Sequence, residues 1–354
     1  MTHTTQSAKK IHGTITVPAD KSISHRSLLF AALAMGTSTI KNLLLSEDVL
    51  RTLTILRQLG VKTSHDANSL KAEDTLVVEG VGLNGFKAPK EVLYCGNSGT
   101  TMRLMLGLLA GQPFESALTG DESLNRRPME RVTKPLEQMG ASFREEERDG
   151  NRHIHVVGNP SLTAIDYQSP VASAQVKSAI LLASLWAEGM TTVSEPTRSR
   201  NHTEIMLKAM GLALTVQGNG VSVTPGNQLQ PFDITVPGDI SSAAFFIVAG
   251  LIVPNAELKI KNVGLNPTRT GIVDVLKEMN ASLDVENRVE VAGESVGTIN
   301  VKTSNLVNTV IGGDVIPRLI DEIPILALAG TMAKGGMLVK DAGELRVKES
   351  DRIQ

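Results

Sequence analysis

One helical pattern recurs five times along this chain, and its regular spacing constrains the fold more than any other feature. Each copy is an apolar stretch rich in small residues that ends at a glycine or a turn. Successive copies lie roughly 75 residues apart, and a regular period of this kind indicates repeated structural units. The five stretches are Ser24–Gly36, Thr101–Gly111, Ser178–Gly189, Ser242–Val253 and Pro324–Gly335.

A second, amphipathic pattern alternates with the first, and each of its copies stops at Gly or Asn. These residues accept the left-handed backbone conformation that closes a helix. Short β-rich runs lie between the helices, and each unit is predicted to hold two helices and several strands. Helices of the first pattern are predicted to be buried, because they are apolar on nearly every face. The amphipathic copies are Asp48–Gly60, Arg127–Gly140, Arg200–Gly211 and Thr268–Asn280.

Two segments of the chain are almost identical, and they indicate two halves. Ile15–Asp20 reads ITVPAD and Ile234–Asp239 reads ITVPGD. They lie about three units apart, so they mark corresponding points of a longer repeat. Two domains also fit the length of 354 residues, because a domain commonly takes roughly 150 residues.

Two halves of three units would hold about six apolar helices, and this chain shows five. The charged stretch Arg346–Arg352 indicates a further amphipathic helix, which would begin at Glu349 and stop at Gln354. We therefore predict that the sequence is truncated and lacks a sixth unit. The alternative is a naturally shorter protein that ends in a frayed tail.

Charge, aromatic content and cysteine count exclude several classes of function. The 35 Lys and Arg residues balance the 37 Asp and Glu residues, whereas general nucleic-acid binding needs excess positive charge. The seven Phe, two Tyr and one Trp offer few platforms for stacked bases. The single Cys95 excludes an intramolecular disulfide and a cysteine metal cluster. Without a long apolar run or an apolar core in Met1–Lys10, the sequence predicts a soluble cytoplasmic protein.

Charged and polar residues stand at the start of several of these helices. Lys21, Ser22 and Arg26 surround the start of the first apolar helix. Backbone N–H groups at a helix N-terminus favour anions, Lys adds a positive charge, and Arg offers two parallel donors to phosphate or carboxylate. The cluster therefore predicts an anion site. The alternative is a solvated helix cap with ordinary surface cations.

A glycine-rich turn, Gly96–Arg103, leads into the second apolar helix in the same way and contains Asn97 and Gly99. Backbone N–H groups of such a turn can approach an anion closely. The turn lacks the Lys of a P-loop and is not a dinucleotide-binding loop, so a plain turn is the alternative. The doublet Arg126–Arg127 precedes an amphipathic helix, and a solvated surface pair is its alternative.

Three further motifs lie at predicted helix starts. Ser173–Ser178 carries hydroxyl and amide groups that suit a hydroxylated or phosphorylated ligand. Asp321 stands at the entrance of the fifth apolar helix, where it is either a capping residue or a general base. The alternating charges of Arg346–Arg352 are either a solvated face or part of a site.

All these motifs share one position, the N-terminal end of a repeat-unit helix. If the units pack symmetrically, those ends converge on a pocket lined by Arg, Lys and isolated carboxylates. Such a pocket suits a small, multiply anionic substrate, and its chemistry would rely on electrostatics and proton transfer. No cluster of His, Cys and Asp has the spacing of a metal site, so no metal is predicted.

Together the motifs resemble those of the 5-enolpyruvylshikimate-3-phosphate synthases, the enolpyruvyl transferases of aromatic amino-acid biosynthesis. The resemblance runs from about His12 to Gln354. Arg200–Glu204 is also similar to the glyphosate-insensitive branch of the family. The motifs that carry the resemblance are DKSISHR, GNSGTTMRL, RRPM, SAQVKSA, LIDEIPILA and RVKESDRI.

The resemblance implies an α/β (α+β) fold, namely a two-domain inside-out α/β barrel of βαβαββ repeat units. Five of the expected six units would be present. It implies an inserted domain of three units at residues 20–237. Residues 1–19 and 238–354 would form the second domain, which would lack its last unit.

The implied reaction transfers the enolpyruvyl group of phosphoenolpyruvate to the 5-hydroxyl of shikimate 3-phosphate and releases phosphate. It is an addition–elimination through a tetrahedral intermediate, with no metal or organic cofactor. The implied partners are these two substrates alone, with no nucleic acid and no membrane, and the chain would act as a monomer.

The resemblance also implies roles for single residues. Asp321 matches the base that takes the 5-hydroxyl proton, and Glu349 matches the proton donor and acceptor at the phosphoenolpyruvate methylene. Lys21 matches a residue that reaches both substrates, and we group it with the catalytic residues. Substrate-binding positions of the family match Lys21, Ser22, Arg26, Asn97, Gly99, Arg127, Ser173, Ala174, Gln175, Lys348 and Arg352.

Among these positions, the resemblance assigns Gly99 and Arg127 to phosphoenolpyruvate and makes Arg352 a carboxylate clamp. Gln175 would touch both substrates. The remaining shikimate 3-phosphate ligands would be Ser22, Arg26, Ser173, Ala174 and Lys348.

Two alternatives stay open. The UDP-N-acetylglucosamine enolpyruvyl transferases share the fold but use a Cys in a mobile loop of the second unit, and the matching stretch Asp121–Pro128 has none. Cys95 is expected to be buried instead. A non-catalytic remnant that binds shikimate 3-phosphate without turnover is the second alternative.

Two expectations about activity follow from the resemblance. The family continues past the position of Gln354 with an Arg and a Lys that face phosphoenolpyruvate, so this chain alone is expected to be inactive or weak. Glyphosate sensitivity is expected to be intermediate or ordinary, because insensitive relatives tend to carry Ala where this chain has Gly99.

Overall fold

The computed structural model describes residues 9–148, 150–226 and 228–354. These residues divide into two compact units. One unit is Lys21–Val236, and the other joins the described residues up to Asp20 with Pro237–Gln354. Both units combine helices and strands, so the α/β class is confirmed.

The helices and strands of the described residues alternate along the chain. The helices are α1 (Lys21–Leu33), α2 (Glu47–Gln58), α3 (Gly99–Ala110), α4 (Glu122–Asn125), α5 (Glu130–Gln138), α6 (Ala174–Ala183), α7 (His202–Ala209), α8 (Ile240–Ile252), α9 (Gly271–Glu278), α10 (Ile316–Leu319) and α11 (Ile323–Thr331). Short 3-10 turns cover Ser184–Trp186, Gly313–Val315 and Gly343–Val347. The strands are β1 (His12–Thr16), β2 (Met35–Lys41), β3 (Lys62–Thr63), β4 (Thr75–Val81), β5 (Leu93–Tyr94), β6 (Glu115–Thr119), β7 (Ser142–Arg148), β8 (Asn151–Val157), β9 (Leu162–Thr163), β10 (Asp166–Gln168), β11 (Ala187–Glu188), β12 (Thr191–Ser194), β13 (Ala213–Gln217), β14 (Gly220–Thr224), β15 (Asp233–Thr235), β16 (Glu257–Gly264), β17 (Ser282–Val291), β18 (Glu294–Lys302), β19 (Val310–Ile311) and β20 (Leu338–Val339).

Three sheets of the Lys21–Val236 unit share one topology. Each has four strands, and its first pair is parallel while the other pairs are antiparallel. Their strand orders are β5-β6-β8-β7, β10-β12-β14-β13 and β15-β2-β4-β3. In the first of these the chain runs β5, α3, β6, α5, β7 and β8, with α4 as an extra turn. The predicted βαβαββ unit is therefore confirmed.

The predicted barrel is not found, because the sheets of the described residues are open. The parallel edge strands β5 and β10 are only two and three residues long. The sheets pack on the outside of the apolar helices, with α1 against β4, α3 against β8 and α6 against β12. Helices that are apolar on every side take the interior of the unit, and each sheet covers one of them instead of closing on itself.

The two nearly identical segments found in the sequence supply equivalent edge strands. β1 pairs in parallel with β16, in the sheet β1-β16-β18-β17. β15 pairs in parallel with β2. Each edge strand therefore completes a sheet whose other strands lie far away along the chain. The similarity of the two segments reflects this shared position.

The five apolar helices are not equally buried. In α1, every residue from Ile23 to Leu33 is buried, and α3 and α6 are nearly as enclosed. In contrast, Phe245 in α8 is 61% exposed and Met332 at the end of α11 is 62% exposed. The prediction of full burial is wrong for these two helices. They pack against each other, but among the described residues of this unit no third apolar helix covers their outer faces.

The predicted helix from Glu349 to Gln354 is also absent. The chain forms a 3-10 turn over Gly343–Val347 and then runs irregularly. Asp351 Oδ1 accepts hydrogen bonds from the backbone N–H groups of Ile353 and Gln354. Such local side-chain bonds compete with helical hydrogen bonds, so the charged residues here stand on an irregular loop.

Close packing of α3 against α6 depends on Gly107. A Cβ atom at this position would overlap the carbonyl oxygen of Ala179, which is backbone and has no room to move. We expect Gly107→Ala to lower the free energy of unfolding by about 1–3 kcal/mol, the usual cost of overpacking. Urea unfolding measures this loss. Gly336→Ala is the control, because a Cβ there meets nothing, and equal loss in both variants would contradict the packing argument.

Candidate active site

Helix α1 begins at Lys21, and the predicted cation pair divides into one exposed and one buried member. Lys21 is 51% exposed at its side chain, and its Nζ lies 3.0 Å from Asp48 Oδ2 on α2. Arg26 is only 3% exposed. Ser22 stands beside Lys21 and accepts a 3.0 Å hydrogen bond from Arg26 Nη1 at its backbone oxygen.

Arg26 links three helices. Its Nε donates to Thr203 Oγ1 on α7 at 2.7 Å, and its Nη2 donates to Ser178 Oγ on α6 at 2.9 Å. Ser178 Oγ and Thr203 Oγ1 are themselves 2.7 Å apart. The guanidinium therefore fixes the start of α1 beside the start of α6. Thr203 is part of the Arg200–Glu204 stretch, and this contact gives it a structural role.

The glycine-rich turn forms the N-terminal end of α3 as predicted. Ser98 caps the helix, with its Oγ accepting from Thr101 N at 3.1 Å, and Gly99 is the first helical residue. A Cβ at Gly99 would lie 3.2 Å from Nη1 of both Arg103 and Arg127. Two guanidinium groups thus flank this helix start, where backbone N–H groups also favour an anion.

Asn97 orients the second of these guanidinium groups. Its Nδ2 donates to Asp121 Oδ2 at 2.7 Å, and its Oδ1 accepts from Arg127 Nη2. The Nε atom of Arg127 is buried and has no hydrogen-bond partner in the part of the chain that the structure describes. A buried donor without a partner is costly, and an anion bound at this place would remove that cost.

Ser173, Ala174 and Gln175 form the start of α6. Ser173 is its cap, with Oγ accepting from Val176 N at 3.4 Å, and Ala174 is the first helical residue. Gln175 Oε1 accepts from Arg103 Nη1, and its Nε2 donates to Thr100 Oγ1 at 2.9 Å. The structure therefore brings together the starts of α1, α3 and α6.

Sequence reasoning missed a buried ion cluster beneath this region. Lys177 Nζ lies 2.8 Å from both Glu195 Oε2 and Glu204 Oε1, and all three side chains are buried. A buried Lys inside an otherwise apolar helix was the one available signal, because such a residue requires buried carboxylates. Arg103 was also missed, although it belongs to the glycine-rich motif.

In the other unit, the predicted acid–base residues lie around one arginine. Arg352 Nη1 donates to Asp321 Oδ1 at 2.9 Å, and its Nη2 donates to Glu349 Oε1 at 2.6 Å. Partial burial alone would lower the pKa of Arg352, but its bonds and attraction to Glu349 and Asp321 outweigh this and raise the pKa. Lys348 is half-buried at the end of the 3-10 turn.

A buried arginine, Arg269, also lies among carboxylates near Asp321. The sequence analysis did not single it out. Arg269 Nη2 lies 3.0 Å from Asp239 and 3.7 Å from Glu322, and its Nη1 lies 3.7 Å from Asp20. Burial would lower its pKa, but these carboxylates more than compensate and raise it. Because Glu322 is the neighbour of Asp321, this buried cluster anchors the start of α11.

The structure gives no support for thiol chemistry or for a metal site in the described residues. Cys95 is fully buried, and burial raises the pKa of its thiol, so it lacks the features of a reactive thiolate. The described residues contain no group of three His, Cys, Asp or Glu placed to hold a metal ion. Within the same part of the chain, no helix is long and apolar enough to cross a membrane.

Fold and site together define a mixed α/β protein in which the N-termini of three helices and their cations suit an anion. The enolpyruvyl transferase NikO from Streptomyces tendae has the same fold, with a TM-score of 0.72 at 17% identity over 92% of this chain and 74% of that one. The family described as EPSP synthase (3-phosphoshikimate 1-carboxyvinyltransferase) matches residues 5–354. The chain belongs to the EPSP synthase family, whose members catalyse the enolpyruvyl transfer of the shikimate pathway.

Two relatives show how far the similarity extends. The 3-phosphoshikimate 1-carboxyvinyltransferase of Bacillus subtilis (strain 168) is 53% identical over 344 residues, which are 97% of this chain and 78% of that protein. The EPSP synthase structure from Acinetobacter baumannii superposes with a TM-score of 0.87 at 47% identity, over 97% of this chain and 76% of that one. The matches run through nearly the whole chain, and the predicted truncation is not confirmed by them.

Proposed function

We propose that this chain transfers the enolpyruvyl group of phosphoenolpyruvate to the 5-hydroxyl of shikimate 3-phosphate and releases phosphate. Family membership supports the reaction. One observation supports the assignment of residues. The starts of α1, α3 and α6 are tied together by Arg26–Ser178 and Arg103–Gln175 contacts. Three helix N-termini and their cations thereby form a surface suited to anions.

In this proposal the Lys21–Val236 unit binds the charged groups of the substrates. Shikimate 3-phosphate is held by Lys21, Ser22 and the start of α6. Phosphoenolpyruvate is held by Arg127 and the backbone at Gly99. Arg26 and Asn97 also belong to the binding set, and their buried or paired side chains suit an orienting role.

Asp321, Glu349 and Arg352 carry the proton transfers in this proposal. Asp321 takes the proton of the attacking 5-hydroxyl, while Glu349 gives a proton to the methylene carbon of phosphoenolpyruvate. The hydroxyl oxygen bonds to the neighbouring carbon and forms the tetrahedral intermediate. Glu349 then takes a proton from the new methyl group, the double bond returns and phosphate leaves. Arg352 stays charged between the two carboxylates and clamps the substrate carboxylate, and Lys348 contacts shikimate 3-phosphate.

Several broader features belong to the same proposal. Residues 20–237 form one domain, and residues 1–19 with 238–354 form the other, in line with the two compact units. The chain acts in the cytoplasm as a monomer. It has no nucleic-acid partner, and the balance of 35 basic and 37 acidic residues supports this last point. Analytical ultracentrifugation tests the oligomeric state.

Phosphate release tests the reaction directly. Protein of confirmed intact mass is mixed with phosphoenolpyruvate and either shikimate 3-phosphate or UDP-N-acetylglucosamine. We expect phosphate release when the acceptor is shikimate 3-phosphate and none when it is UDP-N-acetylglucosamine. The opposite result would overturn the proposal. No release with either, but calorimetric binding of shikimate 3-phosphate, would instead support the non-catalytic alternative.

Gly99 gives a test of the phosphoenolpyruvate subsite. A methyl group there would press on the guanidinium groups of Arg103 and Arg127, both 3.2 Å away, and push them by a few tenths of an ångström. We expect Gly99→Ala to raise the KM for phosphoenolpyruvate and the inhibition constant of glyphosate each about fivefold or more, which corresponds to roughly 1 kcal/mol of crowding. Inhibition curves at several phosphoenolpyruvate concentrations measure both. Gly336→Ala is the control, and unchanged constants in Gly99→Ala would place the subsite elsewhere.

A further inference from the structure

Glu195 contacts the backbone at the start of α6, where the proposed shikimate 3-phosphate residues Ser173–Gln175 lie. It follows strand β12, and its side chain is buried. Its Oε1 accepts a 2.8 Å hydrogen bond from the backbone N–H of Ser173. That N–H precedes the first turn of α6, so no helical carbonyl is available to it. Through this bond, one buried carboxylate fixes the backbone where the proposed shikimate 3-phosphate loop begins.

The second oxygen of Glu195 is held equally firmly. Its Oε2 accepts from Lys177 Nζ at 2.8 Å, from Ser199 Oγ at 2.8 Å and from Ser199 N at 3.2 Å. Hydrogen bonds to a charged group are stronger than those between neutral groups. The carboxylate is thus held in place by Lys177 of α6 and by the loop at Ser199. Its bond to Ser173 N therefore holds that backbone group in a fixed position.

Glu204 provides a built-in comparison. It is also buried and also lies 2.8 Å from Lys177 Nζ, but within the described residues Ser173 N donates to Glu195 and not to Glu204. Loss of either glutamate leaves Lys177 with one carboxylate, so the charge consequences inside the cluster are alike. Only the loss of Glu195 releases the Ser173 N–H.

We propose that Glu195 is a positioning residue that holds Ser173, Ala174 and Gln175 in the conformation that binds shikimate 3-phosphate. The inference rests on the proposed function. Lys177 keeps the carboxylate charged and in place, and Glu204 balances Lys177. Glu195 does not touch the substrate, so it acts through the backbone that it fixes.

Paired substitutions separate this role from general support of the fold. Glu195→Ala is expected to raise the KM and the dissociation constant for shikimate 3-phosphate on the order of tenfold, the usual effect of losing one charge-assisted hydrogen bond. The KM for phosphoenolpyruvate should change less. Glu204→Ala should lower thermal stability less, because it releases the Lys177 contact but none of the Ser173 and Ser199 bonds, and it should leave both constants within about twofold. Steady-state kinetics, calorimetry and thermal unfolding measure these effects.

Amide hydrogen exchange gives a readout that does not depend on activity. The peptide that contains Ser173 should exchange faster in Glu195→Ala than in Glu204→Ala. If Glu195→Ala does not fold, Glu195→Gln takes its place, because an amide oxygen still accepts from Ser173 N while the charge is lost. For Glu195→Gln, the KM and the dissociation constant for shikimate 3-phosphate are expected to rise, but by less than about tenfold.

The outcomes for the two proposals are distinct. If the wild type shows no turnover with shikimate 3-phosphate, the proposed function fails. If the wild type is active but the Glu195 and Glu204 variants share the same dissociation constant for shikimate 3-phosphate and the same exchange at Ser173, the positioning role is overturned.

Discussion

Replacing Asp321 by Asn is expected to lower kcat by a factor of about 10²–10⁴, the range that a positioned general base contributes. The Asn side chain keeps an oxygen that accepts from Arg352 Nη1, now 2.9 Å from Asp321 Oδ1. The geometry of the group is therefore preserved, but an amide does not take the proton of the 5-hydroxyl. Both KM values should stay within about threefold, because no binding contact is removed.

The measurement is steady-state phosphate release at saturating concentrations of both substrates. Asp284→Asn is the matched control, since Asp284 lies exposed on β17 in the same unit and should leave kcat unchanged. An Asp321→Asn enzyme that keeps more than about a tenth of the wild-type kcat would show that another group takes the proton.

Replacing Arg127 by Gln is expected to lower kcat/KM for phosphoenolpyruvate by about 10- to 100-fold, the effect of losing charge-assisted hydrogen bonds to an anion. Arg127 stands beside the start of α3, is oriented by Asn97 and carries a buried Nε without a partner in the described residues. The substitution removes the charge and the buried Nε donor that would meet the anion. Binding of shikimate 3-phosphate alone should change little.

The neighbouring Arg126 offers a closely matched control. Arg126 directly follows the short helix α4, and its exposed guanidinium pairs with Glu122 at the start of that helix. Exposed pairs of this kind contribute little. Arg126→Gln should therefore behave like the wild type. If the two variants lose kcat/KM equally, or if Arg127→Gln loses affinity for shikimate 3-phosphate instead, the proposed contact with phosphoenolpyruvate is wrong.

Local patterns predicted the helices with small errors. The second apolar helix was predicted over Thr101–Gly111 and is found over Gly99–Ala110. Errors lie at both ends: the third apolar helix was predicted over Ser178–Gly189 and is found over Ala174–Ala183. At the starts, charged or small residues such as Lys21 and Gly99 carry no apolar signal. Where local side-chain bonds compete, as at Asp351, the helix prediction fails altogether.

The positions of the candidate site residues were only partly accessible from sequence. Lys21, Gly99 and Ala174 could be placed at helix starts from motif spacing, and the structure has them there. In contrast, Arg26 was predicted as a substrate ligand with no intramolecular partner named, and the structure shows its buried guanidinium bonded to Ser178 and Thr203. Those partners lie 152 and 177 residues away in sequence, and no local pattern reports such a contact.

The sequence by itself determined the repeat of helices and strands, the α/β class and the family, because apolar periodicity, glycine stops and motif letters are local properties of the chain. Only the tertiary structure decided that β1 and β15 complete sheets formed by distant strands, that the sheets stay open and that Glu195 reaches Ser173. These features depend on which surfaces meet in space. Strand pairing and buried ion contacts are set by packing between remote segments, where the lowest free energy is a property of the whole unit.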